Sequence, residues 1–177
     1  MEVLPAGAEP ARDGFYLDES RSAKSPSYAK LLARAGDGRP PGTDPVRAFV
    51  QVHQDGGVTY AYAACGTPSM RLWITDRQLR VTYWEPEDYG LARVKFGPGG
   101  FQLSISEAAM QESRHPDWVP KQPLVAGNIV ASEPTVYEID LWGEFSLLAV
   151  ELEELARLPL VLHRCKAGRR LDLSWTK

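Results

Sequence analysis

Cysteine, histidine and long apolar runs are scarce in this sequence of 177 residues, and each scarcity excludes a class of protein. The 2 cysteines, Cys65 and Cys165, are far apart and form no CxxC pair, so we expect neither a secreted disulfide framework nor a zinc knuckle. The 3 histidines, His53, His115 and His163, are too scattered for a metal site. We therefore expect no metal and no cofactor.

The net charge is also small, because 20 Lys and Arg nearly balance 23 Asp and Glu and leave a net charge of -3. A surface that follows phosphates needs an excess of basic residues, so we expect no nucleic-acid partner. No window approaches the roughly 18 apolar residues of a membrane span, and the N-terminus lacks the features of a signal peptide. These absences predict a cytoplasmic protein without a membrane partner.

The first 45 residues are rich in proline and glycine, with 6 of the 14 prolines. We expect this segment, 1–45, to be an N-terminal arm that supplies no strand. Ser25 as N-cap and Pro26 at the first helical position predict one short helix in it, at about 26–35. The domain proper is then 46–177.

Between residues 46 and 106 the apolar side chains alternate with a period of two, which is typical of antiparallel strands. Turn signals at 55–56, 76–77 and 97–100 divide this stretch into three hairpins. In the first hairpin, a turn at 56–57 instead of 55–56 shifts the register by two. Every side chain then keeps its face.

The C-terminal part is less regular. Ser106 can cap a short helix in EAAMQESR, a proline-rich loop HPDWVPKQP follows, and TVYEIDLW alternates as a strand does. The segment 144–157 fits helix and strand templates about equally, and its Leu, Ala and Glu content favours a helix. A last hairpin is expected around 166–169.

Together these elements predict a mainly β fold with minor α content. We expect an antiparallel, hairpin-built sheet of about eight strands, closed as a barrel or folded as a sandwich, with one or two helices.

One face of the first two hairpins carries more aromatic and arginine side chains than a solvated surface normally does. This aromatic–arginine face comprises Phe49, Gln51, His53, Tyr60, Tyr62, Arg71, Trp73, Arg80 and Trp84. The register puts Arg80 opposite Trp73, where a guanidinium can stack on an indole. Three interpretations remain open: a second core layer covered by the arm or by 107–133, a protein-binding patch, or the lining of a small-molecule cavity in a barrel.

Three further clusters have weaker signals. The carboxylates of 85–88 could hold a cation or a basic partner, but their spacing is not that of a calcium loop and favours a solvated turn. The HPDW loop, 115–118, is either a lid over the aromatic–arginine face or a surface connection. His163, Asp172 and Ser174 have catalytic residue types, yet no strained turn surrounds the serine, which favours an ordinary cross-strand His–Asp pair.

No HExxH, Walker or GxGxxG motif is present, while residue types typical of binding hot spots are concentrated. This combination favours a non-enzymatic protein-binding module, of the inhibitor, immunity or adaptor kind, with a protein partner. The alternative is a small-molecule-binding antiparallel barrel, including an isomerase or a cyclase. In that case Gln51, His53, Tyr60 and Tyr62 line the cavity and 107–133 is its lid.

Overall fold

The computed structural model describes residues 9–12, 15–18, 39–40, 47–55, 57–63, 69–83, 85–111 and 122–163. Within these ranges the strands are β1 (Glu9–Arg12), β2 (Phe15–Asp18), β3 (Arg47–Asp55), β4 (Val58–Ala63), β5 (Arg71–Ile74), β6 (Gln78–Thr82), β7 (Pro86–Gly97), β8 (Gly100–Ile105), β9 (Leu124–Ser132), β10 (Thr135–Leu141), β11 (Phe145–Glu151) and β12 (Leu160–His163). Helix α1 (Glu107–Gln111) follows β8, and a 3₁₀ helix (Leu152–Arg157) follows β11.

Eight of these strands close into an antiparallel barrel. Strands β5 to β11 pair in chain order, and β3 pairs with both β11 and β5 to complete the ring. Closure leaves the ring without an unpaired edge, which is how barrels avoid the exposed donors and acceptors of an open sheet. The predicted mainly β, antiparallel fold is confirmed, and of the two architectures left open the chain adopts the barrel.

The remaining strands extend the sheet beyond the barrel. Strand β4 pairs with the last residues of β3, β12 runs parallel to β4, and β2 and β1 follow outward. Because neighbouring barrel strands are antiparallel, all their ends fall into two groups. We call the end where β3 begins, at Arg47, the lower end, and the end where β3 meets β4, at His53, the upper end.

The alternation along the strands creates two cores. Side chains that point into the barrel form the main core: Phe49, Met70, Leu72, Ile74, Leu79, Val81, Tyr89, Phe101, Leu103, Ile105, Val125, Tyr137, Ile139, Leu141, Trp142, Leu147 and Ala149. A second core lies outside the barrel wall, formed by Val50, Val52, Ala61, Val136, Val150, Leu155, Leu158 and Leu160. Strand β3 serves both cores, because its successive side chains alternate between the two faces.

Aromatic rings fill the middle of the barrel. The ring centroid of Phe49 is 5.0 Å from that of Phe101 and 5.1 Å from that of Tyr137. Each of the three rings is at most 4% exposed. Burying a side chain of this size stabilises the fold by roughly 1.5–3 kcal/mol, so this cluster is a major source of stability.

The expectation that 1–45 supplies no strand is wrong, since β1 and β2 lie within it and β2 pairs with β12. Pro10 is tolerated in β1 because β1 is the outermost strand, where a missing N–H breaks no interior ladder. The helix predicted at about 26–35 lies outside the described residues. The division of the chain at 45–46 stays a prediction.

The helix favoured for 144–157 is also wrong, because strand β11 and the 3₁₀ helix occupy this segment. Leu147 and Ala149 point into the barrel, while Val150 packs in the second core. A strand buried on both faces has apolar residues at consecutive positions, and such a run matches a helical template as well as a strand.

Part of the segment 107–133, which the small-molecule alternative treated as a lid, belongs to the barrel wall, and residues 112–121 of it lie outside the described residues. Strand β9 lies between β8 and β10 and is needed for closure. The short helix after Ser106 is confirmed as α1, where the backbone N–H of Ala109 donates to Ser106 Oγ at 3.3 Å. The strand expected in TVYEIDLW is confirmed as β10.

The second hairpin has the predicted register, the first has the alternative register that leaves every side chain on its predicted face, and the third contains a bulge. His53 pairs with Tyr60, which corresponds to the turn at 56–57, and Trp73 pairs with Arg80. In the third hairpin, a bulge after Leu91 puts this residue opposite Ile105, a position that strict alternation back from the turn at 97–100 would give to Ala92. The last hairpin expected around 166–169 lies outside the described residues.

Candidate functional site

The structure divides the aromatic–arginine face between the two sides of the barrel wall. Phe49 pairs with Leu72 and points inward, whereas Arg71 pairs with Val50. Since directly paired residues share a face, Arg71 and Trp73 lie on the outer side together with Val50. The prediction that one face carries the whole set is therefore wrong. Trp84 lies outside the described residues.

The outer half of the set is buried. Arg71 is 8% exposed and Trp73 is 4% exposed, although both are outside the barrel. Arg80 lies opposite Trp73 and forms a bidentate ion pair with Asp88, with Nε–Oδ1 and Nη2–Oδ2 distances of 2.6 Å. These hydrogen bonds raise the pKa of Arg80 above its ordinary value. Such burial agrees with the interpretation of this half as a covered layer.

The inner half meets at the upper end of the barrel, where four of the predicted side chains come together as the His53 cluster: Gln51, His53, Tyr60 and Tyr62. The ring of His53 stacks on that of Tyr60 at a centroid distance of 6.0 Å and meets the ring of Tyr62 edge-on at 5.5 Å. Both tyrosines are buried, whereas Gln51 and His53 are half-buried. The cluster is therefore reachable through Gln51 and His53.

One backbone hydrogen bond and two side-chain hydrogen bonds support this arrangement. The backbone N–H of Gln51 donates to the Met70 carbonyl at 2.8 Å, and the backbone N–H of Met70 donates to Gln51 Oε1 at 3.1 Å. Ser69 Oγ donates to the Tyr62 carbonyl at 3.3 Å. These bonds join β3 and β4 to the chain that leads into β5, so the cluster is part of the rigid sheet.

The His53 cluster is uncharged at neutral pH. Burial lowers the pKa of His53 below its ordinary value, so its imidazole is neutral and offers one N–H donor and one acceptor nitrogen. Burial, together with the neighbouring Tyr60, raises the pKa of Tyr62 to about 12, so its phenol keeps its proton. The cluster thus combines aromatic faces with neutral hydrogen-bonding groups.

A second polar group, which the sequence did not reveal, lies at the lower end. Arg47 Nη1 donates to Tyr137 Oη at 3.1 Å and to Glu151 Oε1 at 2.5 Å, and Tyr137 Oη donates to the same carboxylate oxygen at 3.1 Å. The guanidinium carbon of Arg47 is 4.7 Å from the ring centroid of Phe96. We call Arg47, Tyr137 and Glu151 the Arg47 cluster.

Burial and the neighbouring carboxylate raise the pKa of Tyr137, so this phenol also keeps its proton. The three residues come from β3, β10 and β11, and Arg47 and Glu151 are 104 positions apart. The sequence offers one signal for this cluster, a charged residue at the end of a row of inward-facing side chains. That signal can be used only if β11 is recognised as a strand.

The other candidate groups do not form sites among the described residues. In the acidic turn 85–88, Asp88 binds Arg80 and Glu87 accepts a hydrogen bond from the Tyr89 hydroxyl. No group of three potential metal ligands occurs in the described ranges. Asp172, Ser174 and the loop 115–118 lie outside them, so the His–Asp pair and the lid stay predictions.

No family model, curated protein or solved structure matches this chain. Any statement about function therefore rests on the chemistry of the barrel itself. Within the described ranges, no helix combines the length and the apolar content that a membrane crossing requires.

Proposed function

We propose that this protein binds a small molecule at the upper end of its barrel, against the His53 cluster. The observation that carries the proposal is the meeting of Gln51, His53, Tyr60 and Tyr62 on one face at the end of a closed eight-stranded ring. Barrels of about eight strands are wide enough to hold one small ligand at most.

The ligand would occupy the end of the barrel and not its middle. Phe49, Phe101 and Tyr137 contact one another across the interior, so the enclosed central cavity expected from the sequence is filled by side chains. Half-buried Gln51 and His53 leave a route to the cluster from the upper end. This position also fits the attachment of the cluster to β3, to β4 and to the chain that leads into β5.

The chemistry of the cluster suits a small, planar, uncharged molecule. Aromatic pairs contribute about 0.5–1.5 kcal/mol beyond the burial of their area, and a flat ligand could stack on the imidazole. Neutral His53 and Gln51 could each pair with a polar group of that ligand. A neutral imidazole is also able to accept a proton, so an isomerase or a cyclase is the enzymatic form of this proposal.

Protein binding through the aromatic–arginine face is not part of the proposal. A hot-spot surface needs accessible aromatic and arginine side chains, whereas Trp73, Arg71 and Phe49 are at most 8% exposed and lie on two different faces. A protein partner stays a prediction of the sequence.

The uncharged aromatic fluorophore N-phenyl-1-naphthylamine provides a direct test. We expect saturable binding to the wild-type protein and roughly tenfold weaker binding to His53→Ala, which removes one stacking partner. Gln54→Ala is the matched control, because Gln54 is exposed and lies on the opposite face of the same strand.

Near-UV circular dichroism verifies that each variant is folded, and a fragment library screened by ligand-observed NMR extends the search beyond one fluorophore. Equal affinity of the His53 and Gln54 variants for the fluorophore contradicts the proposal. So does the absence of any bound fragment.

A further inference from the structure

We propose that the Arg47 cluster is a second binding site, which takes the carboxylate of a small aromatic acid. This site is independent of the His53 cluster. Arg47 and His53 are six residues apart on the same face of β3, which separates their backbones by about 20 Å along the strand. The two sites therefore succeed or fail separately.

The guanidinium of Arg47 is held in one orientation by three contacts. Nη1 donates to Tyr137 and to Glu151, and the plane lies over the ring of Phe96. A fixed arginine loses little conformational entropy when it binds a ligand, since the side chain is already ordered. Tyr137 and Glu151 are thus positioning residues for Arg47.

The opposite edge of the same guanidinium is unused within the described residues, because Nε and Nη2 have no hydrogen-bond partner there. The Arg47 side chain is 35% exposed, so a ligand in solution can reach this edge. Nε and one N–H of Nη2 point in parallel, and their spacing matches the two oxygens of a carboxylate. An arginine that is held in one orientation, with one pair of N–H donors still available among the described residues, is suited to bind a carboxylate.

The residues around Arg47 favour a ligand that carries one negative charge and a flat apolar group. Glu151 balances the charge of Arg47 through the Nη1 contact, so a multiply charged anion gains little extra attraction. Phe96 and Ile129 are half-buried and pack on the main core beside the cluster. A flat apolar group attached to the carboxylate could cover them, which favours an aromatic acid over inorganic phosphate.

Benzoate is the probe for this site, and the readout is the Nε–H signal of Arg47 in ¹⁵N-labelled full-length protein. We expect a saturable shift of that signal with benzoate, no shift with the neutral isostere benzamide, and at least tenfold weaker binding of inorganic phosphate. Arg93 is the internal control, because it is exposed and its side chain lies on the opposite face of β7 from Phe96.

Variants separate the fork geometry of Arg47 from its charge. Arg47→Lys keeps the charge and loses the paired N–H groups, so we expect benzoate binding at least tenfold weaker, whereas Arg93→Lys binds as the wild type does. Glu151→Gln should broaden the Nε–H signal of Arg47 and weaken benzoate binding, because its orientation is then less constrained.

An unchanged Arg47 signal overturns the proposal, and so does an equal response of Arg93 or equal binding of benzamide. Phosphate binding as tight as that of benzoate overturns the selection of a planar carboxylate. The titration of wild-type protein decides these outcomes even where a variant fails to fold.

Discussion

Gly127→Ala is expected to destabilise the barrel by overpacking its aromatic centre. A Cβ atom on Gly127 would lie 2.2 Å from Cε1 and 2.5 Å from Cζ of Phe101. Phe101 has no room to retreat, because its ring is 4% exposed and packs on Phe49 and Tyr137. The backbone is equally constrained, since Gly127 pairs directly with Phe101 on one side and with Ile139 on the other.

Inserting a methyl group into a filled core costs typically 1–3 kcal/mol, since neighbours must leave their preferred rotamers or the strand must move. With a urea m-value of about 1–3 kcal/mol/M, we expect a fall in the midpoint of unfolding of roughly 1 M. Gly97→Ala is the matched control. No atom lies within 4 Å of a Cβ built there, so its effect should stay within about 0.5 kcal/mol.

Urea unfolding followed by tryptophan fluorescence measures both variants, because Trp73 and Trp142 are buried. Phe101→Leu in the Gly127→Ala background tests the cause, since leucine lacks the ring atoms that the new methyl group would meet. We expect the double variant to be more stable than the sum of the single effects predicts, by about 1 kcal/mol or more. Equal midpoints for Gly127→Ala and Gly97→Ala, or strictly additive costs in the cycle, would refute the reasoning.

Two further predictions concern charge. Because the folded state lowers the pKa of His53 below its ordinary value of 6.5, the unfolded chain binds more protons just below that pH, and His53 makes the fold less stable as pH falls. As the pH is lowered from about 7.5 to about 5, the midpoint of urea unfolding of the wild type should therefore fall relative to that of His53→Gln. Parallel curves for the two proteins would contradict this. Asp88→Asn removes half of the bidentate pair with Arg80, and with Asp88 40% exposed we expect a loss of only about 0.5–1 kcal/mol. Asp76→Asn, from a pair whose side chains are 90% and 79% exposed, should leave the midpoint unchanged, and equal losses for the two variants would contradict the assignment.

The parts of the fold that the sequence predicted are those set by neighbouring residues. Turn chemistry determined which strands form hairpins, and the period of two determined the two faces within each hairpin. Trp73 opposite Arg80 followed from the turn at 76–77 alone. The N-cap signal at Ser106, which begins α1, is equally local, because a cap acts within one helical turn.

The parts that the sequence did not predict depend on pairings between distant strands. β3 and β5 are not joined by a hairpin, so no turn sets their relative register, and the faces of Phe49 and Trp73 were wrongly combined. β11 appeared helical because both its faces are buried. The Arg47 cluster combines both difficulties, since its members come from three strands whose register only the closed ring defines.

The inward-facing row of β3 shows why polar side chains lie near the barrel ends and not in its middle. Its side chains are Arg47, Phe49, Gln51 and His53 in order, and the least exposed of them, Phe49, meets other rings inside the barrel. A charged or polar group in the middle would have to leave water without a partner, at a cost of several kcal/mol, whereas near either end it keeps partial access to solvent. The same energetics that exclude polar groups from the centre therefore leave hydrogen-bonding side chains at both ends, which is where the two proposed sites lie.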